Sequence, residues 1–595
     1  MILSLLVFSA VAAPSADTIA SSYQQGVAYT IEARLDEQAQ VLRARARLEY
    51  TNNSPVSLDT IWLHQHLNAF RPNSAWARRE LEYGVRRFQD LGPAEHAYER
   101  FSSVQVDGRD VAPVYPGAPD STVVALPLPR SLLPGASITV EMDWSARPST
   151  LPRRQGRAGR HYDFAQWYPR IAVHEAGGWQ TQPLLPQGEF YGEFASYDVT
   201  VQVAADQVIG AVGVPVDGDP GWRPAPRTSQ PLLQRDAYPA RAPRSLGFLA
   251  AEPADGERRV RWRAEGVHHF AWSVDPDYIL ESGQTRRTGD AGGIIAVHVL
   301  YRPADQDWAG GVALGRTIQA LDWVQQLFGP YPWPQLTNLR RIEGGGTEFP
   351  MMMMNGSPSE GLIVHEMVHQ YLHGILANNE WRDGWLDEGF TDFITNWYHE
   401  EQGRTNVWNA GMAAIRERER LAQTYPIARP GAEFPDPATY TAMTYRKTGL
   451  IFRMLRDLVG EPAMRQVLRT YYTENKLQHV TEADLRSAVN QVTGEDFDWF
   501  FQQWFHTTGT LDYAFGHTST ERMADGRWRT RVDVLRLGQA WMPVRVQVGD
   551  QVHTLSSRNR RQTLELITRE HPREAAIDPD NILIDLDPST NRVRL

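Results

Sequence analysis

The spacing of apolar residues changes period twice along this chain, and that change restricts the fold more than any single motif does. In Leu42-Arg43-Ala44-Arg45-Ala46-Arg47-Leu48-Glu49-Tyr50, apolar and charged residues alternate strictly, which suits a strand with one buried face. Val199, Val201 and Val203 repeat the pattern. Further on the period is helical. Leu321, Val324, Leu327 and Phe328, and then Phe390, Phe393, Ile394 and Trp397, recur at three- and four-residue steps. The same reading predicts helices over about 447–458, 461–476 and 482–504. After Gly509 alternation returns, as in Val544, Val546 and Val548. The order is therefore β, then mostly α, then a small β-domain, which makes a multidomain α+β chain. The domains run over 21–255, 256–510 and 511–595. Residues 215–243, rich in Pro, Gly and Arg, read as a long surface loop or insertion.

At 595 residues, length alone allows about three or four domains. A formal charge of −11 argues against nucleic acid or an anionic membrane as the main partner, because both attract basic surfaces. The basic stretch Arg147, Arg153, Arg154, Arg157 and Arg160 reads as a solvated loop. With no cysteine, disulfides, thiolate metal sites and cysteine nucleophiles are excluded. Export is not, since a chain of this size can build a core without cross-links. The apolar run Ile2–Val11, followed by the small-x-small pattern Ala10-Val11-Ala12, reads as a signal peptide over 1–20 and implies a periplasmic or secreted protein. The basic start of such a segment is missing, which leaves a truncated gene start or a buried N-terminal strand as alternatives. No other run reaches the ~18–20 apolar residues of a membrane helix, so the mature chain is expected to have no integral membrane segment.

Chemistry concentrates in His365-Glu366-Met367-Val368-His369. On a helix, residues four apart share a face, so both imidazoles can reach one ion, while Glu366 is rotated away and can hold a water. Nineteen residues after His369 comes Glu388, in Trp385-Leu386-Asp387-Glu388-Gly389-Phe390 at the start of a second amphipathic helix. Two helices joined by such a return can set Glu388 opposite the histidines. Two neutral imidazoles and one carboxylate leave a zinc complex positive, with a fourth position open for water or substrate. Asp392, one turn further, can accept a bond from a ligand histidine's second nitrogen. Its other reading is an ordinary solvated helix residue. His373 is read as a supporting or packing residue, since Glu388 is the better third ligand.

The segment HEMVHQYLHGILANNEWRDGWLDEGF resembles the HExxH-(18 residues)-E pattern of the gluzincin aminopeptidases, the family of aminopeptidase N and leukotriene hydrolase. Upstream, Gly345-Gly346-Thr347-Glu348-Phe349 is similar to that family's GxMEN motif. Downstream, Tyr445-Arg446-Lys447-Thr448-Gly449 is similar to its Tyr-x-Lys-Gly segment. The resemblance covers the chain from about Tyr29 to its end. It implies an N-terminal β-sandwich or saddle domain, a thermolysin-like, mostly α catalytic domain and a small C-terminal β-sandwich, with one Zn2+ per chain. It also implies that Glu348 binds the free α-amine of a peptide, that Gly345 and Gly346 lie flat against the peptide backbone, and that Tyr445 stabilises the oxyanion. Gln166, in Gln166-Trp167-Tyr168-Pro169, is the candidate for a second amine contact from the N-terminal domain.

The chain departs from the family at Thr347 (usually Met), Phe349 (Asn), His373 (Gly) and Thr448 (Gly), and the resemblance implies a short bacterial-type member, expected to be without the large helical C-terminal domain of longer relatives. The reading is a zinc aminopeptidase acting on peptide substrates, with Glu366 as general base. An endopeptidase is the nearest rival, followed by a non-catalytic peptide-binding scaffold and, more distantly, an epoxide hydrolase.

Overall fold

The computed structural model describes residues 23–226, 230–250, 252–289 and 292–595; the apolar run Ile2–Val11 and the Ala10-Val11-Ala12 site lie outside them. Strict alternation at 41–50 becomes the strand Val41–Thr51, with every second residue buried. It lies in an eight-stranded sheet between Gly26–Asp36 and Ser137–Arg147. Two of the outward arginines of this strand are neutralised across the sheet. Arg45 pairs with Asp143 at 2.6 Å and Arg47 with Glu141 at 2.6 Å, each directly opposite in register, as cross-strand packing favours. Ala195–Ala204, which carries Val199, Val201 and Val203, joins the same sheet.

The basic stretch is not a solvated loop throughout, which corrects the reading from charge alone. Arg154 and Arg157 are buried. Arg157 donates to the carbonyls of Pro148 and Ala94, and Arg154 pairs with Glu189. A buried guanidinium is tolerated when acceptors or a counter-charge meet it.

The middle of the chain opens on a five-stranded sheet ordered Ile279–Arg286, Ile294–Tyr301, Gln335–Arg340, Met352–Asn355 and Glu348–Phe349. The helices Val312–Leu327, Glu360–His369, Phe390–Glu401, Thr448–Val459 and Glu461–Asn475 follow. The single helix predicted over 482–504 is two, Glu482–Thr493 and Asp498–His506. Gly494, at φ +70, ends the first in the left-handed conformation that glycine adopts without cost. Stacked rings fix the centre: Phe390 on Phe452 at 4.1 Å and Trp385 on Phe505 at 4.0 Å. Past residue 510, strands Tyr513–Arg522, Trp528–Arg536 and Arg561–Thr568 form one small sheet. Val544–Val548 lies in another, with Gln551–Leu555, Glu574–Ile577 and Arg592–Arg594. Among the described residues no helix is long and apolar enough to cross a membrane.

A buried imidazole lies where the N-terminal strands meet the five-stranded sheet. His161 Nδ1 lies 2.8 Å from Asp275 and Nε2 2.9 Å from Asp163, whose other oxygen accepts from the Ile342 amide at 3.0 Å. Burial alone would lower the pKa of this ring, but Asp163 and Asp275 raise it to about 9. The stabilisation, about 3 kcal/mol, is therefore complete below the ordinary histidine value and lost as pH rises through about 9. Melting temperatures at pH 7 and pH 10 are expected to differ clearly in the wild type and much less in His161→Gln. An equal pH response in the two proteins would remove this role.

Candidate active site

The helix Glu360–His369 carries both histidines on one face, as a four-residue step requires. Their Nε2 atoms are 3.2 Å apart, and Glu388 Oε2 lies 3.1 Å from His369 and 3.4 Å from His365. A tetrahedral zinc with bonds of ~2.0–2.1 Å sets its ligand atoms roughly 3.3 Å apart, so this triangle has the size the ion needs. His369 Nδ1 lies 3.2 Å from the Leu372 carbonyl. It donates there, which leaves the Nε2 lone pair toward the triangle. Burial opposes ionisation of Glu388, but the two imidazoles hold its carboxyl well below the usual range. The donor set of two imidazoles and one carboxylate fits zinc.

Glu388 reaches this position from a π-helical turn, Trp385–Gly389, just ahead of the predicted second helix. Gly389 is required there, since a Cβ would lie 2.3 Å from the Thr444 carbonyl and 2.4 Å from Thr448 Cβ. That close approach brings in the turn Thr441–Lys447, and the Tyr445 hydroxyl donates to Glu388 Oε1. Lys447, two residues on, is buried against Glu419 at 3.0 Å and fixes the turn from behind.

Glu366 is buried, with Oε2 unpartnered. Burial, then the Glu348 carboxylate, push its pKa up to about 7 against the opposing pull of the histidines. Gly346 lies directly on it: a Cβ at that position would be 1.9 Å from Glu366 Oε1. The neighbouring Gly345 turns the chain at φ +71. Gly346→Ala is thus expected to displace the carboxylate and lower kcat by about tenfold or more, since small misplacements of a reacting group cost 10²-fold in the worst case. An unchanged kcat would mean that the position of Glu366 is unimportant.

Glu348 occupies the antiparallel edge strand, opposite Met353. Carboxylate oxygens of Glu189, Glu348 and Glu380 lie within 4.8 Å of one another. Glu189 and its partner Arg154 come from the N-terminal part of the chain; Glu189 was not singled out in the sequence, and Arg154 was read there only as part of a solvated basic stretch. Gln166 is buried at φ +57, lies against His66 and has an unpartnered Nε2. Among the described residues no hydrogen bond joins it to Glu348, so Glu189 is the N-terminal group found beside Glu348. Asp392 is half-buried and feels the charge of His365, but it makes no hydrogen bond to either imidazole among the described residues. The second nitrogen of His369 is taken by Leu372. His373 adopts φ +102 with its ring buried beside Glu380. That φ explains why glycine suits the position elsewhere.

A model of the Peptidase family M1 domain matches residues 347–504. Aminopeptidase B of Mus musculus is 24% identical over 313 residues, covering 45% of each chain. Aminopeptidase N of Caulobacter vibrioides is 26% identical over 280 residues, 41% of this chain and 32% of the relative. The chain thus spans less than half the length of these curated relatives. Among solved structures, the M1 zinc metallopeptidase from Deinococcus radiodurans superposes with a TM-score of 0.54 at 17% identity, covering 81% of this chain and 94% of that one. The Legionella pneumophila aminopeptidase A in complex with aspartic acid gives 0.64 at 14% identity, with 96% and 60% covered. At such identities the structural likeness speaks for the fold.

Proposed function

We propose that this chain, which belongs to the M1 metallopeptidase family through the domain at residues 347–504, is a zinc aminopeptidase that removes N-terminal residues from peptides. One observation carries the reading: the zinc-sized triangle of His365, His369 and Glu388 lies beside Glu366, which is itself within electrostatic reach of Glu348, one of the three clustered carboxylates Glu189, Glu348 and Glu380. A Zn2+ ion held by the triangle supplies Lewis acidity and lowers the pKa of a water molecule toward ~7. Glu366 accepts the proton of the attacking water and returns it to the leaving amine. Tyr445 donates to the oxyanion that forms on the scissile carbonyl. Glu348, with Glu189 and Glu380, holds the protonated α-amine and so sets which bond is cut. The edge strand bearing Glu348 offers its free side to an extended peptide.

The reading is tested with fluorogenic amino-acid amides, each run beside its N-acetylated form; cleavage of the free series alone is expected. Export to the periplasm or medium is part of the same proposal, supported by the Ile2–Val11 run and Ala10-Val11-Ala12. Mass spectrometry of the protein from its native host is expected to find a new N-terminus near Ala12 or Ala13. Recovery of intact Met1 in the cytosolic fraction would reject export.

A further inference from the structure

Residues 341–347 lead from the strand Gln335–Arg340 to the edge strand Glu348–Phe349, and Gly344, Gly345 and Gly346 follow one another within them. Gly344 and Gly345 are exposed, whereas Arg341 and Thr347 are buried. Glycine loses more conformational freedom on ordering than any other residue, so a loop of this composition needs ties to keep one shape. Some ties run to neighbouring segments. The Arg341 amide donates to the Asn355 carbonyl at 3.1 Å, Thr347 and Met354 exchange backbone bonds at 3.0 and 2.9 Å, and the Gly356 amide donates to the Gly345 carbonyl at 2.7 Å. The Glu343 carboxylate accepts from the Arg154 amide at 2.7 Å and from Arg153 Nη1 at 3.3 Å. A further tie is internal. Arg341 Nη2 donates to the Gly344 carbonyl at 2.5 Å and Nη1 to the Thr347 hydroxyl, which itself donates to the Gly346 carbonyl at 2.8 Å. Thr347 is one of the positions where the chain departs from the family pattern, and the methionine usual there has no hydroxyl to accept such a bond. The guanidinium is 2% exposed, and its ion pair is a long one, to Glu343 Oε2 at 4.0 Å. Burying this charge is costly unless its donors are met, and polar groups of the loop meet two of them.

We propose that Arg341 is a positioning residue for the hydrolysis: by bonding Gly344 and Thr347 at once, it holds the glycine loop in register. The inference rests on the aminopeptidase reading given above. Glu348 follows Thr347 directly, and Gly346 lies against Glu366. A loop that slackens therefore displaces both the anchor of the substrate amine and the backbone wall of the general base.

Arg341→Met keeps the length of the side chain and removes both donors. It is expected to retain zinc and to lower kcat for free amino-acid amides by about tenfold, since small misplacements of reacting groups cost up to 10²-fold. The advantage of free over acetylated substrates should narrow, and adding Glu348→Ala should narrow it no further, because both changes act on one contact. Arg341→Lys keeps the charge, but one ammonium cannot reproduce a fork that bridges two acceptors, so it is expected to stay impaired. Hydrogen exchange gives a readout independent of hydrolysis. The Thr347 and Met354 amides should exchange about tenfold faster in Arg341→Met, as loss of a charged hydrogen bond implies, with the distant strand Val41–Thr51 unchanged. If Arg341→Met does not fold, Thr347→Val removes the hydroxyl end alone and is expected to move both readouts the same way, by less. Full kcat and undiminished discrimination in zinc-loaded Arg341→Met overturn the proposal. So do unchanged exchange at Thr347 and Met354, and complete recovery with Arg341→Lys, which would show that charge alone suffices. A wild type that cuts free and acetylated amides alike rejects the aminopeptidase reading instead, and exchange at Thr347 and Met354 then still decides whether Arg341 holds the loop.

Discussion

Glu366→Gln is expected to lower turnover by about 10²–10⁴-fold, the contribution of a positioned general base, while zinc remains bound. Glutamine has the shape of glutamate, and none of the three ligands at His365, His369 and Glu388 is altered. What disappears is a buried carboxylate beside the triangle whose Oε2 has no other partner. The backbone at Gly346 lies against its Oε1 side, so the substituted amide keeps its place and the comparison isolates proton transfer. Burial and Glu348 raise the Glu366 carboxyl. The wild-type rate is therefore expected to fall on the acid side, as this group gains a proton and can no longer accept one. The residual rate of the Gln variant lacks that dependence. Metal content measured beside kcat decides the matter: near wild-type turnover with full zinc would mean that another group takes the proton.

Where residues recur at a fixed period, the chain could be read. One-sided burial imposes alternation on 41–50 and the three- and four-residue steps on 390–397, and the strands and helix formed there are the ones expected. The metal triangle was visible for the same reason, because His365 and His369 share a helix face and Glu388 follows after a short return. The merged helix at 482–504 shows the limit of the method. Apolar spacing runs through Val489, Val492, Phe497 and Phe500, and only the left-handed Gly494 breaks the backbone. Glu189, Arg154 and Glu380 could not be found this way. Each sits in a segment without period, and its placement depends on a partner far away in the chain: Arg154 for Glu189, the Phe190 amide for Glu380. Counting charges along the sequence reads such an arginine as solvated, because its carboxylate partner is not local. Gln166 was picked out by a motif-like neighbourhood, and the fold sets it against His66 with its Nε2 unpartnered.

Glu348→Ala is expected to lower kcat/KM for free-amine substrates by about 10- to 100-fold and to narrow their advantage over acetylated ones. Glu348 is 5% exposed, with Oε1 unpartnered, and it shares its surroundings with Glu189 and Glu380. A protonated amine entering that space gains charge-assisted hydrogen bonds of about 1.5–3 kcal/mol, and each ~1.4 kcal/mol is a factor of ten in rate. Acetylation removes the charge, so the carboxylates stay buried against a neutral amide, a further cost. Arg154 offsets only part of the negative charge, since its pairing is with Glu189. Glu348→Gln separates charge from shape: it keeps a polar group of the same size and is expected to lose most of the discrimination that Ala loses. If charge governs register, the loss should fall on kcat as well as KM, because an amine held off its site leaves the scissile carbonyl misplaced relative to Glu366. Equal cleavage of acetylated and free substrates by the wild type would show that register is set by the peptide backbone on the Glu348 edge strand, and the enzyme would then be an endopeptidase.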